Sequence, residues 1–384
     1  MNAEADRDQD QQGHQDQRAR FAALRAKGMR HKDAAAAMGL SEGAAVAAHT
    51  GAHDNALRAT RLRGPWVDLL QALELCGPVL ALTRNETTVH EKTGVYEKVS
   101  GSEAMGLALG EAIDLRLFFS RWHAGFAVSE AAANPGVAPS LSLQFFNPQG
   151  VAVHKIFVRD ATDRDAFQSV IDTYTAPVAP NAPVVFVPAE DKAAPRDDSA
   201  IDRAALAEAW RGMKDTHEFF GLLNKFGVER QQSFRLTEGE FTQRAELGAI
   251  GGLLNEAAFD GTPIMVFVGS PGCIQIHSGP VVRIESMEMK GHGNGNGEGA
   301  APMRWLNVLD PGFNLHMRED RIASVWIVEK PTSDGIVTSV EAFDQAGELM
   351  AMFFGARKPG QPEREEWRRI VRVLPRLQPA AQNP

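Results

Sequence analysis

His217 is the residue of this chain best placed to bind a metal centre. It stands in AALAEAWRGMKDTHEFFGLLNKFG, where Leu206, Trp210, Met213, His217 and Phe220 recur at spacings of 4, 3, 4 and 3. That rhythm predicts one helix over 205–226 with all five side chains on one face. A polar ring in an apolar stripe is costly unless it finds a partner. Two readings fit: a buried histidine bonded to a carbonyl, or an imidazole aimed into an apolar cleft to ligate a metal. Cys76 and Cys273 are the only cysteines, and no Cys/His set has zinc spacing. One axial imidazole is enough, however, for an iron already held in a porphyrin.

Other residues carry weaker signals. Arg116 in IDLRL reads from its surroundings as an inward strand residue paired with Asp114 or with a carboxylate across a sheet. The Gly-rich run GNGNGEG lacks the strand–turn–helix setting and glycine spacing of a dinucleotide site, so electrons for any redox step come from outside. Two cysteines make no disulfide framework and suit a reducing compartment. The net charge of −9 argues against a general nucleic-acid binder. A polar N-terminus without the apolar core of a signal peptide, and the lack of an apolar run of spanning length, give the expectation of a cytoplasmic protein without a membrane span.

The elements that must hold these residues fall into two similar halves. At 384 residues, two domains are expected. Residues 1–18 read as a disordered tail, 19–175 as an N-terminal repeat with a helical subdomain, 176–204 as a Pro/Ala-rich linker, and 205–378 as a C-terminal repeat. GMRHKDAAAAMGLSEGAAVAA faintly suggests a helix-turn-helix, but the acidic balance favours a small helical subdomain packed on the first core. VHEKTG pairs with IHSGPV (His90 with His277, offset 187), IDLRL with FNLHM (Arg116 with His316, offset 200) and LSLQFFNPQG with TSVEAFDQAG (offset 197). The first two offsets differ by 13, the length of the insertion GHGNGNGEGAAPM at 291–303. Each half opens with a helix (65–75; 205–226) and closes with an amphipathic one (160–174; 361–374), around short alternating strands joined by tight turns. The fold class is therefore α+β, an internal duplication of a large antiparallel sheet with flanking helices.

WRGMKDTHEFFGLLNKFGVERQQSFRL resembles the hemin-degrading factors and haem-transport proteins of Gram-negative bacteria. TRNETTVHEKTGVY, IDLRLFFSRW, IMVFVGSPGCIQIHSG, WLNVLDPGF and EKPTSDGIVTSVEAF are also similar to that family's blocks, in order from about 65 to 376. The resemblance implies haem held between the two halves, with His217 as the axial ligand of the iron and Arg116 as a distal group from the other half. It implies Arg230, Lys290 and Arg357 as cations for the propionates, with Arg304 the alternative to Lys290. Phe354 stands where many relatives carry a tyrosine, which removes one hydroxyl donor. The insertion could alter haem access or docking of a partner. His90 reads as structural; His277 and His316 are similar, although His316 could approach a second, weaker haem site.

Two functions remain open on the sequence. One is a cytoplasmic carrier that passes haem to a downstream haem oxygenase. The other is an enzyme that opens the porphyrin and frees iron with an external electron donor, where Arg116 would act on the distal side.

Overall fold

Strand runs rich in Val, Ile, Phe and Thr, broken by Gly and Asn turns, dictate most of the architecture. The computed structural model describes residues 2–132, 134, 136–177, 184–190, 192, 194–289, 302–358 and 360–377. Along the chain, α1 (Asn2–Ala26), α2 (His31–Ala37) and α3 (Glu42–Ala47) lead into β1 (Leu57–Leu62), α4 (Trp66–Ala72), β2 (Val79–Arg84) and β3 (Thr88–Gly94). β4 (Val99–Gly101), β5 (Gly106–Leu109), β6 (Asp114–Leu117), β7 (Ala124–Glu130), β8 (Ser140–Phe146), β9 (Ala152–Val158) and α5 (Arg164–Tyr174) follow. The order then repeats: α6 (Arg203–Arg211), α7 (Glu218–Phe226), α8 (Arg230–Leu236), β10 (Thr242–Ala245), α9 (Ala249–Asp260), β11 (Ile264–Gly269) and β12 (Cys273–Gly279). It ends with β13 (Ile284–Met289), β14 (Met303–Asp310), β15 (Phe313–Arg318), β16 (Ile322–Thr332), β17 (Gly335–Asp344), β18 (Leu349–Gly355) and α10 (Glu365–Val373).

Two compact units result. The first comprises Met1–Arg84, Glu91–Glu190 and Ser270–Gln275; the second comprises Asn85–His90, Asp191–Gly269 and Ile276–Pro384. Each therefore includes six residues from the other half of the sequence. The first unit contains the antiparallel ladder β1-β7-β8-β9-β2 and the triplet β4-β5-β6. The second contains β10-β16-β17-β18-β11 and β13-β14-β15. One face of the first ladder packs against α4 and α5, the other against α1–α3 and Phe186. In the second unit α9 and α10 cover one face and α6–α8 the other. The α+β duplication expected from the sequence is the fold observed.

Strand register refines the repeat. Ser142↔Phe157 matches Ser339↔Phe354 at the expected offset of 197, and both ladders are irregular just after the third residue beyond these serines, at Phe145/Phe146 and Ala342/Phe343. The hairpin pairs Val99↔Ala108 and Ile284↔Val308 give offsets of 185 and 200, so the second hairpin is longer by 15 residues, not 13. β3 and β12 also differ by 185, which aligns His90 with Gln275 rather than with His277. The sequence match slid by two because a period of two preserves strand facing.

Three further expectations change. Of the polar segment 1–18, the described residues from Asn2 on are the start of α1 rather than a tail, and the helix is anchored where Arg18 Nη1 donates to Ala48 O at 2.9 Å and Phe21 is buried. α9, not 205–226, is the positional equivalent of α4, since each lies between the first two ladder strands of its unit. The break between units falls inside 176–204, but Val184 and Phe186 pack on the first core and α6 begins at Arg203.

The segment 270–275 is built into the first unit by polar contacts. Tyr96 Oη lies 2.6 Å from His154 Nε2, and His154 Nδ1 lies 2.9 Å from Thr83 Oγ1. Thr83 then donates to Gln275 Oε1 (2.9 Å), which donates through Nε2 to Ala81 O (2.9 Å). Burial drives the His154 pKa down to about 3, so the ring is neutral in this chain. A Cβ on Gly272 would lie 2.5 Å from Val153 Cγ1 and 3.1 Å from the Trp122 ring. Gly272→Ala is expected to cost about 1–3 kcal/mol of stability, read as a lower melting temperature; an unchanged melt would show that the segment can shift without loss.

Candidate functional site

The helix predicted over 205–226 is broken, and the break exposes its histidine. α6 ends at Arg211 with Gly212 as its C-cap, and α7 begins only at Glu218. Leu206, Trp210 and Met213 are buried as expected, but His217 leaves their stripe: its side chain is 89% exposed, beside an exposed Phe220. The reason is local. Asp215 Oδ1 accepts the His217 backbone N–H at 2.8 Å, turning the chain before α7, whose buried face is Phe219, Leu222 and Leu223. The buried, carbonyl-bonded histidine is thereby ruled out.

The same carboxylate lies 2.6 Å from His217 Nδ1. Two hydrogen bonds from His217, backbone first, pull the Asp215 carboxyl below its usual range, and Arg357 adds to the effect. With the proton held on Nδ1, the Nε2 lone pair points away from Asp215, as in metal-ligating histidines backed by a carboxylate. Asp215 was not anticipated from the sequence; its only signal is an acid two residues before the histidine.

The second unit brings Arg357 to this loop. Ser333 N donates to Lys214 O (2.9 Å), and Arg357 Nη1 donates to Asp334 Oδ2 in the same β16–β17 turn (3.2 Å). Upstream of Arg357, β11 and β18 present Met265, Phe267, Met352 and Phe354, all half-buried, with the Phe267 and Phe354 rings 5.0 Å apart edge to face. Arg230, the first residue of α8, reaches this apolar strip at Met352.

Arg230 is not a free surface cation. Its Nε and Nη2 fork onto Glu341 at 2.6 and 2.8 Å, and Nη2 also meets Met352 Sδ at 3.1 Å. Lys330 Nζ lies 3.2 Å from the same carboxylate, which is fully buried. Burial would raise the Glu341 pKa, but Arg230 and Lys330 hold it at about 2. The Nη1 donors of Arg230 stand outside the fork.

The remaining candidates are distributed as follows. Arg116, on β6 of the first unit, is partly exposed and ion-paired with Asp114, the pairing expected from its surroundings. Lys290 and most of the 291–303 insertion lie outside the described residues; Arg304 is exposed and 3.7 Å from Glu319. His316 Nδ1 lies 2.7 Å from Asn307 Oδ1, and the His277 ring stacks on Phe313 at 3.8 Å. Among the described residues no cluster of three or more His, Cys, Asp or Glu could hold a metal ion. Both cysteines are buried and unpaired, and no described helix is long and apolar enough to cross a membrane.

Comparison with known proteins identifies the family. The family model described as the haemin-degrading HemS.ChuX domain matches twice, over residues 39–174 and 227–374. The hemin transport protein HmuS of Yersinia pestis is 36% identical over 346 residues, covering 89% of this chain and 92% of that protein. The crystal structure of holo-PhuS, a heme-binding protein from Pseudomonas aeruginosa, superposes with a TM-score of 0.85 at 43% identity, covering 95% and 99% of the two chains. That of ChuS, described as an E. coli heme oxygenase, gives 0.78 at 33% identity, covering 93% and 99%. With the domain matched twice and relatives of this identity along nearly its whole length, the chain belongs to the haemin-degrading HemS.ChuX family.

Proposed function

We propose that this protein binds haem as cargo and carries it in the bacterial cytoplasm, with His217 bonded to the iron. The observation that carries the reading is the exposed imidazole whose Nδ1 is held by Asp215 while Nε2 is left to ligate. The second unit also offers an apolar strip for a flat macrocycle and Arg357 for its acidic rim. Arg230 contributes through Nη1, its other donors being committed to Glu341. Arg116, in the first unit, takes the distal role by resemblance, and Lys290 a propionate. Buried, unpaired thiols suit a reducing compartment. Relatives named for hemin transport and heme binding support carriage. The test is a haemin titration: a shifted, intense Soret band saturating near one equivalent is expected, and no shifted band would overturn it.

The relative described as a heme oxygenase supports a second reading, in which the chain itself opens the porphyrin. Haem-loaded protein given a reductant under air, with catalase present, separates them. A persistent Soret band favours the carrier, which then needs a downstream oxygenase. Loss of the band with iron release favours the enzyme, which needs an electron donor.

Asp215 holds the ring in one tautomer and orientation. Asp215→Asn is expected to weaken haemin binding about tenfold while keeping the Soret shift. Unchanged affinity would show that the exposed pair contributes nothing.

A further inference from the structure

The two units fasten their helices to their ladders with charges of opposite sign at equivalent positions, Glu42 buried in the first and Arg230 half-buried in the second. Gly39 and Gly227 both end a helix in the left-handed region, at φ 72° and 59°. The flanking bonds correspond as well: Leu40 N to Ala35 O in the first unit, Val228 N to Leu223 O in the second. Counting on from these glycines, Glu42 is the first residue of α3 and Arg230 the first of α8. Strand register equates Gln144 with Glu341 and Lys155 with Met352 through Gln144↔Lys155 and Glu341↔Met352. It equates Glu130 with Lys330 through Glu130↔Ser140 and Lys330↔Val337.

In the first unit the helix supplies the anion. Glu42 bonds Lys155 Nζ at 2.6 Å and also pairs with Arg84, and all three side chains are at least five-sixths buried. Glu130 of β7 receives a fork from Arg25 (2.9 Å) and lies 3.0 Å from His31 Nε2. In the second unit the helix supplies the cation, Arg230 on Glu341, and β16 supplies Lys330 where the first unit has Glu130. Opposite His31 in the count stands Phe219, over whose ring Lys330 and Arg230 both sit.

We propose that this sign reversal directs each helical cap to its own ladder during folding. Docked on the second ladder, α1–α3 would bury Glu42 beside Glu341 and His31 beside Lys330. Docked on the first, α6–α8 would bury Arg230 beside Lys155 and leave Glu130 without a cation. A buried charge facing its like, or facing nothing, is far more costly than the correct pair is favourable, so the pairs discriminate more than they stabilise. A duplicated chain needs such discrimination, because cross-docking of like parts is a characteristic failure of repeats.

The test uses the full chain in three forms. E42R/K155E keeps a complementary first clasp but gives it the polarity of the second. R230E/E341K does the converse to the second clasp. The combined variant E42R/K155E/R230E/E341K restores opposite polarities. Refolding from urea is followed by the yield of protein that elutes at the parent's native volume on gel filtration. Each pair alone is expected to lower that yield about threefold, and the combination to recover most of it. Losses that add in the combined variant, failure of all three to fold, or yields equal to the parent's would each overturn the proposal and leave the clasps as local ion pairs.

Discussion

His217→Ala is expected to weaken haemin binding about 100-fold, a loss of about 2.7 kcal/mol, and to blue-shift and broaden the Soret band. The ring is 89% exposed and, among the described residues, hydrogen-bonds to Asp215 alone, so removing it opens no cavity. The apo protein should therefore melt at the parent's temperature, which separates loss of a ligand from loss of a fold. Titration by absorbance and by tryptophan quenching measures the affinity directly. A variant with the parent's spectrum and affinity would move the iron ligand elsewhere on the chain.

Glu341→Ala is expected to cost about 3–5 kcal/mol of stability, because the buried Lys330 would be left facing the half-buried Arg230 with no anion between them. Urea denaturation of the apo protein is the measurement, and a midpoint within error of the parent's would show that water reaches the site. The pH dependence follows the same group. Burial alone would raise its pKa, but the two cations hold it at about 2 in the folded chain, below an ordinary glutamate near 4.5. A carboxyl depressed in this way adds stability that is fully present above its unfolded pKa. That contribution drains away as pH falls from about 4.5 towards 2. Glu42, pushed up by burial but drawn to about 2 by Lys155 and Arg84, acts in the same direction and window. Glu341→Ala should accordingly flatten the acid limb of the stability profile.

Much of the fold was legible because it rests on local periodicity. Alternating runs such as IMVFVG and TSVEAF became β11 and β17, and the duplication showed in matched blocks. What was not legible depended on competition between local signals. The spacing Leu206, Trp210, Met213, His217 is helical throughout, yet Gly212 ends α6 and the Asp215 turn restarts the chain out of phase. The same residues that make His217 available thus concealed it in the pattern. Glu341 sits at an inward position of a strand, where an acid is a warning of buried cations, but its partners lie 111 residues upstream and 11 residues upstream. No spacing rule connects those. Arg230 was seen as a cation for a ligand and proved to serve the core first.

The composition of the units bears on how the protein can be dissected. A fragment ending within 176–204 would keep the helices and ladder of the first unit but lack 270–275, whose backbone carries Gly272 against Val153 and whose Gln275 ends the Tyr96–His154–Thr83 chain. The complementary fragment would lack 85–90, where Asn85 donates to Met350 O at 2.9 Å. Neither piece is a miniature of the whole, and strand six-mers added back in trans, rather than longer termini, are what such truncations would require.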